Sequence, residues 1–219
     1  MTNNGTITAG SNVMDITGSG NVVIDWNSFN IAANETVNFK NMQAVLNYVS
    51  GGSKSEIFGK LNGAGVNVFL VNPNGILFGK TAQVNVGQLT ASTRSLEKAD
   101  LNSFNGSLSP LDTGGAANVK ADIINLGKLK AGKLVLEGNN LSIIDAESLE
   151  VTDKSKITLR AGENINIGYE VTDKTTIEVG DGKGNTHQVS DYGKGGGDKA
   201  SDVLSAVSVT DLKLSLIHI

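Results

Sequence analysis

The chain of 219 residues contains no cysteine. That excludes a disulfide framework and any thiolate metal site. Its two prolines are Pro73 and Pro110. Aromatic residues make up only 5% of the chain, too few for a platform that stacks sugar rings. No apolar run approaches the roughly 18 residues of a membrane-spanning helix. An excess of positive charge is missing as well. Lysine and arginine number 18 against 22 acidic residues, for a formal net charge of −4. The lysines stand singly between apolar positions, so nucleic acid is not an expected partner. Strong helix formers are sparse, and Lys40–Tyr48, with Met42, Val45 and Leu46 at helical spacing, is the one candidate helix in the first half, left open against strand or cap structure.

What is abundant is glycine (27 residues) together with asparagine, valine, isoleucine and threonine. This is a composition of short strands and turns. Apolar and polar residues alternate at Gly5–Ala9 (GTITA), Val37–Phe39 (VNF), Val66–Phe69 (VNVF) and Val84–Val86 (VNV). Such alternation marks strands with one buried face. The second half also repeats itself: LVLEGNNLSI at Leu134–Ile143 aligns with ITLRAGENINI at Ile157–Ile167. The offset is 157 − 134 = 23 residues at the first strand and 165 − 141 = 24 at the second. Short strands recurring at such a period form a solenoid, because one coil cannot bury its own apolar face and must stack on the next. Ile124–Gly132 (INLGKLKAG) reads as strand and turn of the preceding coil. The expected fold is all-β: a right-handed parallel β-helix with an N-terminal cap and extra-helical hairpin and loop elements, its coils about 4.8 Å apart. Asn125, Asn140 and Asn166 fit either solvent-facing turns or side-chain ladders between coils.

Two stretches break the repeat. Thr93–Gly115, with Leu96, Leu101, Phe104 and Leu108, is expected as an extra-helical loop or short helical turn on the side of the stack. Glu170–Lys199, with its GDGKGN and GKGGGD segments around a strand-like Thr175–Val179, reads as a hairpin plus a Gly-rich loop. The tail Val203–Ile219 reads as one more coil. It runs apolar to its last residue rather than ending in a polar cap, so it is expected to begin a longer β-helix.

Sites of chemistry are weakly supported. His187 and His218 lack nearby partners for a metal site or a catalytic triad. Asp145, Glu147, Glu150 and Asp153 cluster in one connection, and Asp173, Asp181, Asp191 and Asp198 are scattered in loops. GDGKGN lacks the alternating acidic ligands of a calcium loop, and GKGGGD is not followed by the residues of a phosphate loop. Neither a cofactor nor a catalytic group is expected. Four N-x-[ST] sequons, at Asn4, Asn34, Asn105 and Asn140, leave glycosylation as a minor expectation.

The most informative stretch is Val45–Ser95. At its centre Asn72-Pro73-Asn74-Gly75-Ile76 joins two apolar β-rich runs, Val66–Val71 and Ile76–Phe78. Pro73 has its φ preset for the second position of a type I turn, the Asn72 side chain can cap that turn, and Asn74 and Gly75 tolerate the conformations that complete it. Around the turn lie LNxVxGG at Leu46–Gly52, SxIxGxL at Ser55–Leu61, VFLVNPNGILFG at Val68–Gly79 and LTAST at Leu89–Thr93. In this order and spacing they resemble the haemagglutination-activity, or two-partner secretion, domain at the N-terminus of filamentous-haemagglutinin-like exoproteins. VVIDWNSFNI at Val22–Ile31 fits the same family, where a strand leads into a W-x-x-F element. Tyr48 departs from the pattern, which often has Arg there. The resemblance covers roughly residues 3–170.

The resemblance implies a secretion-recognition and folding-nucleation module. The chain would cross the inner membrane by the Sec route and be read in extended form by the periplasmic POTRA domains of a dedicated outer-membrane barrel. It would then fold at the cell surface, secreted or surface-exposed. No signal peptide precedes Met1-Thr2-Asn3-Asn4, so one would lie upstream or have been removed. A cysteine-free chain suits threading, since a disulfide formed in the periplasm would obstruct it. Asn47, Asn72, Pro73, Asn74, Gly75 and Ile76 are the expected determinants of transporter recognition, or else they fix a turn alone. The expected organisation is a secretion domain at 1–170, a Gly-rich hairpin and loop insertion at 171–200 and a further coil at 201–219, in a monomeric protein. Host-cell receptors would be met through downstream regions. Two alternatives come from other classes: an adhesive β-helix that itself binds host glycan or protein, and a carbohydrate-active β-helix enzyme.

Overall fold

The computed structural model describes residues 2–108, 119–144, 147–151 and 156–167, together with strand backbone at 169–170, 175–180, 186–191, 194–195 and 208–209. Its body is a β-solenoid of about six turns. Each coil contributes to up to three parallel sheets. In the first sheet, the start of β2 (Val13–Trp26) is followed by β3 (Thr36–Lys40) and then by the opening residues of β6 (Lys60–Val71), β8 (Gln83–Ser92) and β10 (Lys128–Ile143). The last rung of this sheet is β11 (Leu149–Glu150) on β10. In the second sheet, the later part of β2 is followed by β4 (Ala44–Val49), the later parts of β6 and β8, the middle of β10 and β12 (Ile157–Ile167). The third is made of β5 (Ser55–Ile57), β7 (Ile76–Phe78), β9 (Ile123–Asn125) and the end of β10. Ile31 extends it by a parallel bridge to Ile57.

Hydrophobic rungs explain why these segments stack. Val22, Val45, Val68, Leu89, Leu134 and Ile157 lie in register, one per coil, and all are fully buried. A one-residue slip would turn every one of them outward, so the alternation itself fixes the register. The repeat read between Leu134–Ile143 and Ile157–Ile167 is this pairing: Leu134 faces Ile157 and Leu141 faces Ile165. The offset changes from 23 to 24 because the ladder shifts between Gly138 and Asn140. The stretch with helical spacing, Lys40–Tyr48, is the end of β3 and most of β4, not a helix. Val45 and Val49 point into the stack while Ala44 and Leu46 join a separate cluster on the outside.

The N-terminal end is closed by β1 (Thr2–Ala9), which pairs antiparallel with β2 and stops the parallel progression. Outside the first sheet runs an amide ladder. The Asn38 side chain donates to Asp15 (2.8 Å), and that of Asn62 donates to Asn38 (3.0 Å). Asn140 and Asn164 form a second one: Asn140 donates to Asp122 at 2.9 Å and Asn164 to Asn140 at 2.9 Å. Asn125 is instead buried, donating to Ser148 Oγ at 3.0 Å and accepting from the Gly127 N–H.

The segment after β8 leaves the solenoid as expected. It carries one short helix, α1 (Lys98–Asn102), whose entry is fixed by the Glu97 N–H donating to Asp100 Oδ2 at 2.8 Å. Leu96, Leu101, Phe104 and Leu108 pack on Ala44, Leu46, Phe69 and Val71, which project outward from the second sheet. Phe69 and Phe104 meet edge to face with centroids 5.2 Å apart. Of the stretch expected as a Gly-rich hairpin and loop, β14 (Thr175–Gly180) and β15 (Thr186–Asp191) form an antiparallel pair. β13 (Tyr169–Glu170) pairs with β16 (Lys194–Gly195) in the same sense. In the tail, β17 (Ser208–Val209) lies parallel to Thr158–Leu159. The other residues of both stretches, including His218, lie outside the described residues, as do Asp145 and Asp153 of the acidic cluster.

Candidate functional site

β6 ends at Val71, and the chain must turn from the second sheet into the third. Asn72 begins that turn and is fully buried. Its backbone N–H still belongs to the ladder, donating to Ser92 O of the following coil (2.9 Å). Its side-chain amide donates to Ser53 O and to Ser55 Oγ, each at 3.0 Å, in the preceding coil. Its Oδ1 accepts the Asn74 N–H at 2.9 Å, the Asx turn that Asn favours. The Gly75 N–H closes the four-residue turn on Asn72 O at 3.1 Å. Asn74 has no positive φ, which is the condition for a type I rather than a type II turn.

The rest of the turn is set by the coils on either side of it. Pro73, half-buried, occupies the position whose φ the ring presets. Asn74 is exposed, and its side chain reaches back to Gly51 O at 2.6 Å. Gly75 takes φ +112°, and a Cβ there would lie 3.3 Å from Asp122 O, so both conformation and space favour glycine. Its carbonyl accepts the Ser55 N–H at 3.0 Å. Ile76 then enters β7, buried, in register between Ser55 below and Ile123 above, and donates its N–H to Asp122 O at 3.1 Å. Five residues thus tie the coil below and the coil above to their own.

Asn47, the sixth expected determinant, has a separate network. It sits in an interior row between Ile24 and Leu70, fully buried. Its Oδ1 accepts the Trp26 indole N–H at 3.1 Å, and its Nδ2 donates to Phe69 O at 3.3 Å. Trp26 in turn packs on Phe29 at 5.2 Å, which accounts for the W-x-x-F spacing. Tyr48 packs on the outer cluster beside Leu46. Of the partners of this turn, Gly51, Ser55 and Ser92 fall within the LNxVxGG, SxIxGxL and LTAST motifs, while no sequence pattern singles out Ser53 or Asp122.

Every group bonded around the turn is an amide, a hydroxyl or a peptide unit. Among the described residues, no carboxylate or imidazole is poised there for proton transfer, and no group of three or more His, Cys, Asp or Glu could hold a metal ion. What the folded turn shows to solvent is Asn74 and part of Pro73, while Asn47, Asn72, Gly75 and Ile76 are inside.

The molecule is thus a β-solenoid with an antiparallel cap, buried turn asparagines and an outer segment packed on its second sheet. The model of the TPS secretion domain matches residues 1–206, and the chain belongs to that family. Among curated proteins it resembles the heme/hemopexin-binding protein of Haemophilus influenzae strain Rd, with 36% identity over 146 residues, 64% of this chain and 16% of that protein. A second heme/hemopexin-binding protein from Haemophilus influenzae is 44% identical over 89 residues, 39% of this chain and 10% of the relative. The matched segments are thus a small part of these relatives' length. The crystal structure of the HMW1 secretion domain from Haemophilus influenzae shares the fold: TM-score 0.53 at 24% identity, over 87% of this chain and 47% of that one. Domains of this class serve exoproteins exported by two-partner systems and work with a partner transporter. Such exoproteins are secreted or surface-associated, and the family is not known for catalysis.

Proposed function

We propose that this domain is read in extended form by the periplasmic POTRA domains of a dedicated outer-membrane barrel, and that it then folds outside the cell as the nucleus of a longer β-helix. One observation carries this reading: four of the six candidate determinants, Asn47, Asn72, Gly75 and Ile76, are buried in the folded solenoid. A partner can touch those residues only before they are packed. In the extended chain the same segments are short, apolar and β-rich, suited to adding a strand to the edge of a sheet in the partner. Folding afterwards is favoured coil by coil, at about 25 cal/mol per Å² of apolar surface buried, and so opposes return of the chain through the barrel.

Residues 1–170 are the secretion domain in this reading, with 171–200 an insertion and 201–219 the start of further coils. The exoprotein's own activity is a separate matter. The relatives are named for binding heme and hemopexin, but the match spans only 16% and 10% of them, so a shared secretion domain does not transfer that binding, nor any contact with host receptors.

The test pairs export with stability. Asn72→Ala and Asn74→Ala, with a Sec signal and the cognate transporter supplied, are followed by the amount released to the medium and by thermal melts of the purified domain. Recognition predicts that release falls further than the melts account for, above all for the exposed Asn74. Parallel losses in both would leave the turn a structural role alone.

A further inference from the structure

The outer face of the second sheet holds a charged cluster apart from the turn. Ser92, Glu137 and Arg160 lie in register on successive coils. The Glu137 carboxylate is 1% exposed and takes two guanidinium groups: Arg160 Nη1 donates to Oε1 at 2.7 Å, and Arg94 Nη2 donates to Oε2. Arg94 belongs to the segment that leaves the solenoid after β8, and its Nε also donates to Ser92 Oγ at 3.2 Å. Next to it the Thr93 N–H donates to Glu137 O at 2.9 Å and the Thr93 hydroxyl to Ala121 O at 2.9 Å. Arg94 further pairs with Val119 in an isolated antiparallel bridge.

Beyond this anchorage the segment is held by apolar packing. Helix α1 buries no residue, and Leu96, Leu101, Phe104 and Leu108 are only partly buried where they cover Ala44, Leu46, Phe69 and Val71. The interior rungs do not need it, since Leu89, Ala91, Leu134 and Leu136 stack on one another inside the solenoid.

We propose that residues 93–108 form a strap, latched over the outer apolar face of the second sheet by Arg94, Glu137 and Arg160, which opens without unfolding the solenoid. Glu137 lies 43 residues beyond Arg94 and comes from a later coil, and Arg160 from the coil after that. The latch is therefore incomplete until those coils are stacked, and until then the outer face of β4 and β6 has no fixed cover. A carboxylate this buried is strongly unfavourable without its cations, which makes latching close to all-or-none. The inference stands whether or not POTRA domains read the extended chain.

The absence of cysteine makes the test clean, because a single introduced thiol is unique. Ala44→Cys places one under the strap, where Ala44 is 1% exposed, and Ala91→Cys places one in the interior, where Ala91 is fully buried. In the otherwise native full chain both should resist a thiol reagent. Adding Arg94→Gln removes the strap's side of the latch and leaves the Glu137–Arg160 pair intact. The expected result is labelling at position 44 faster by about tenfold or more, as when a minor open state becomes populated, with position 91 unchanged. Glu137→Gln should give the same split. Acceleration at both positions would mean that the cluster holds the whole stack, and no acceleration at position 44 that it does not hold the strap. Either result overturns the proposal.

Discussion

Asn47 is the single polar side chain in a row otherwise made of Ile24, Leu70, Ala91, Leu136 and Leu159. Leucine at that position would fill similar space but leave the Trp26 indole N–H without its acceptor. We expect Asn47→Leu to lower stability by about 1–3 kcal/mol, the usual cost of an unsatisfied buried group, and a shift in the denaturant midpoint checks it. At the surface, Asp15 is held below its ordinary carboxyl value of 3.8, first by the hydrogen bond from the Lys40 ammonium and then by that from the Asn38 amide. Its contribution is present above the ordinary value and is lost as pH falls through the lower folded-state value. Lys40→Met should therefore flatten the acid limb of the stability profile below about pH 4; a limb unchanged in slope would show that the pair does not act. The turn asparagines were legible as residue types from Pro73 and Gly75 beside them. That Gly51 of LNxVxGG and Ser53 are their partners was not, because both lie a coil away and turn chemistry is local.

At the scale of elements, the strands could be read because both of their determinants repeat. Alternation fixed the buried face, and the recurring interval fixed which residue sits above which. Lys40–Tyr48 stayed open between helix and strand because Met42, Val45 and Leu46 satisfy helical spacing as well as a strand with apolar residues on both faces. The second face is apolar because the strap covers it, and nothing local in the sequence announces that cover. Of the strap's latch, Glu137 and Arg160 occupy equivalent positions of the repeat, but Arg94 lies outside it and left no periodic trace. Close packing between coils gives another check. A Cβ on Gly79 would fall 2.2 Å from the Phe58 ring. Gly79→Ala should be destabilising by about 1–3 kcal/mol, as overpacking is, and Phe58→Ala in the same chain should recover most of the loss. Additive losses in a double-mutant cycle would contradict that contact.

For the whole molecule, stacking makes stability a sum of neighbour interfaces, and the ends are the vulnerable places. The N-terminal end is met by an antiparallel strand, which changes the pairing sense and blocks addition of another parallel coil there. The strap and the turn act across coils rather than within one, so the folded domain hides the motifs by which it is proposed to be recognised. In the proposed reading the chain is a signal while extended and a scaffold once coiled. The most direct measurement is binding of the isolated periplasmic domains of the partner transporter to this chain in two states, diluted freshly from denaturant and fully folded. Recognition of the extended form predicts capture of the freshly diluted chain, decaying at the rate at which the solenoid forms, and none of the folded chain. Equal binding to the folded domain would contradict it and would move recognition to the exposed surface, with Asn74 the first residue to examine.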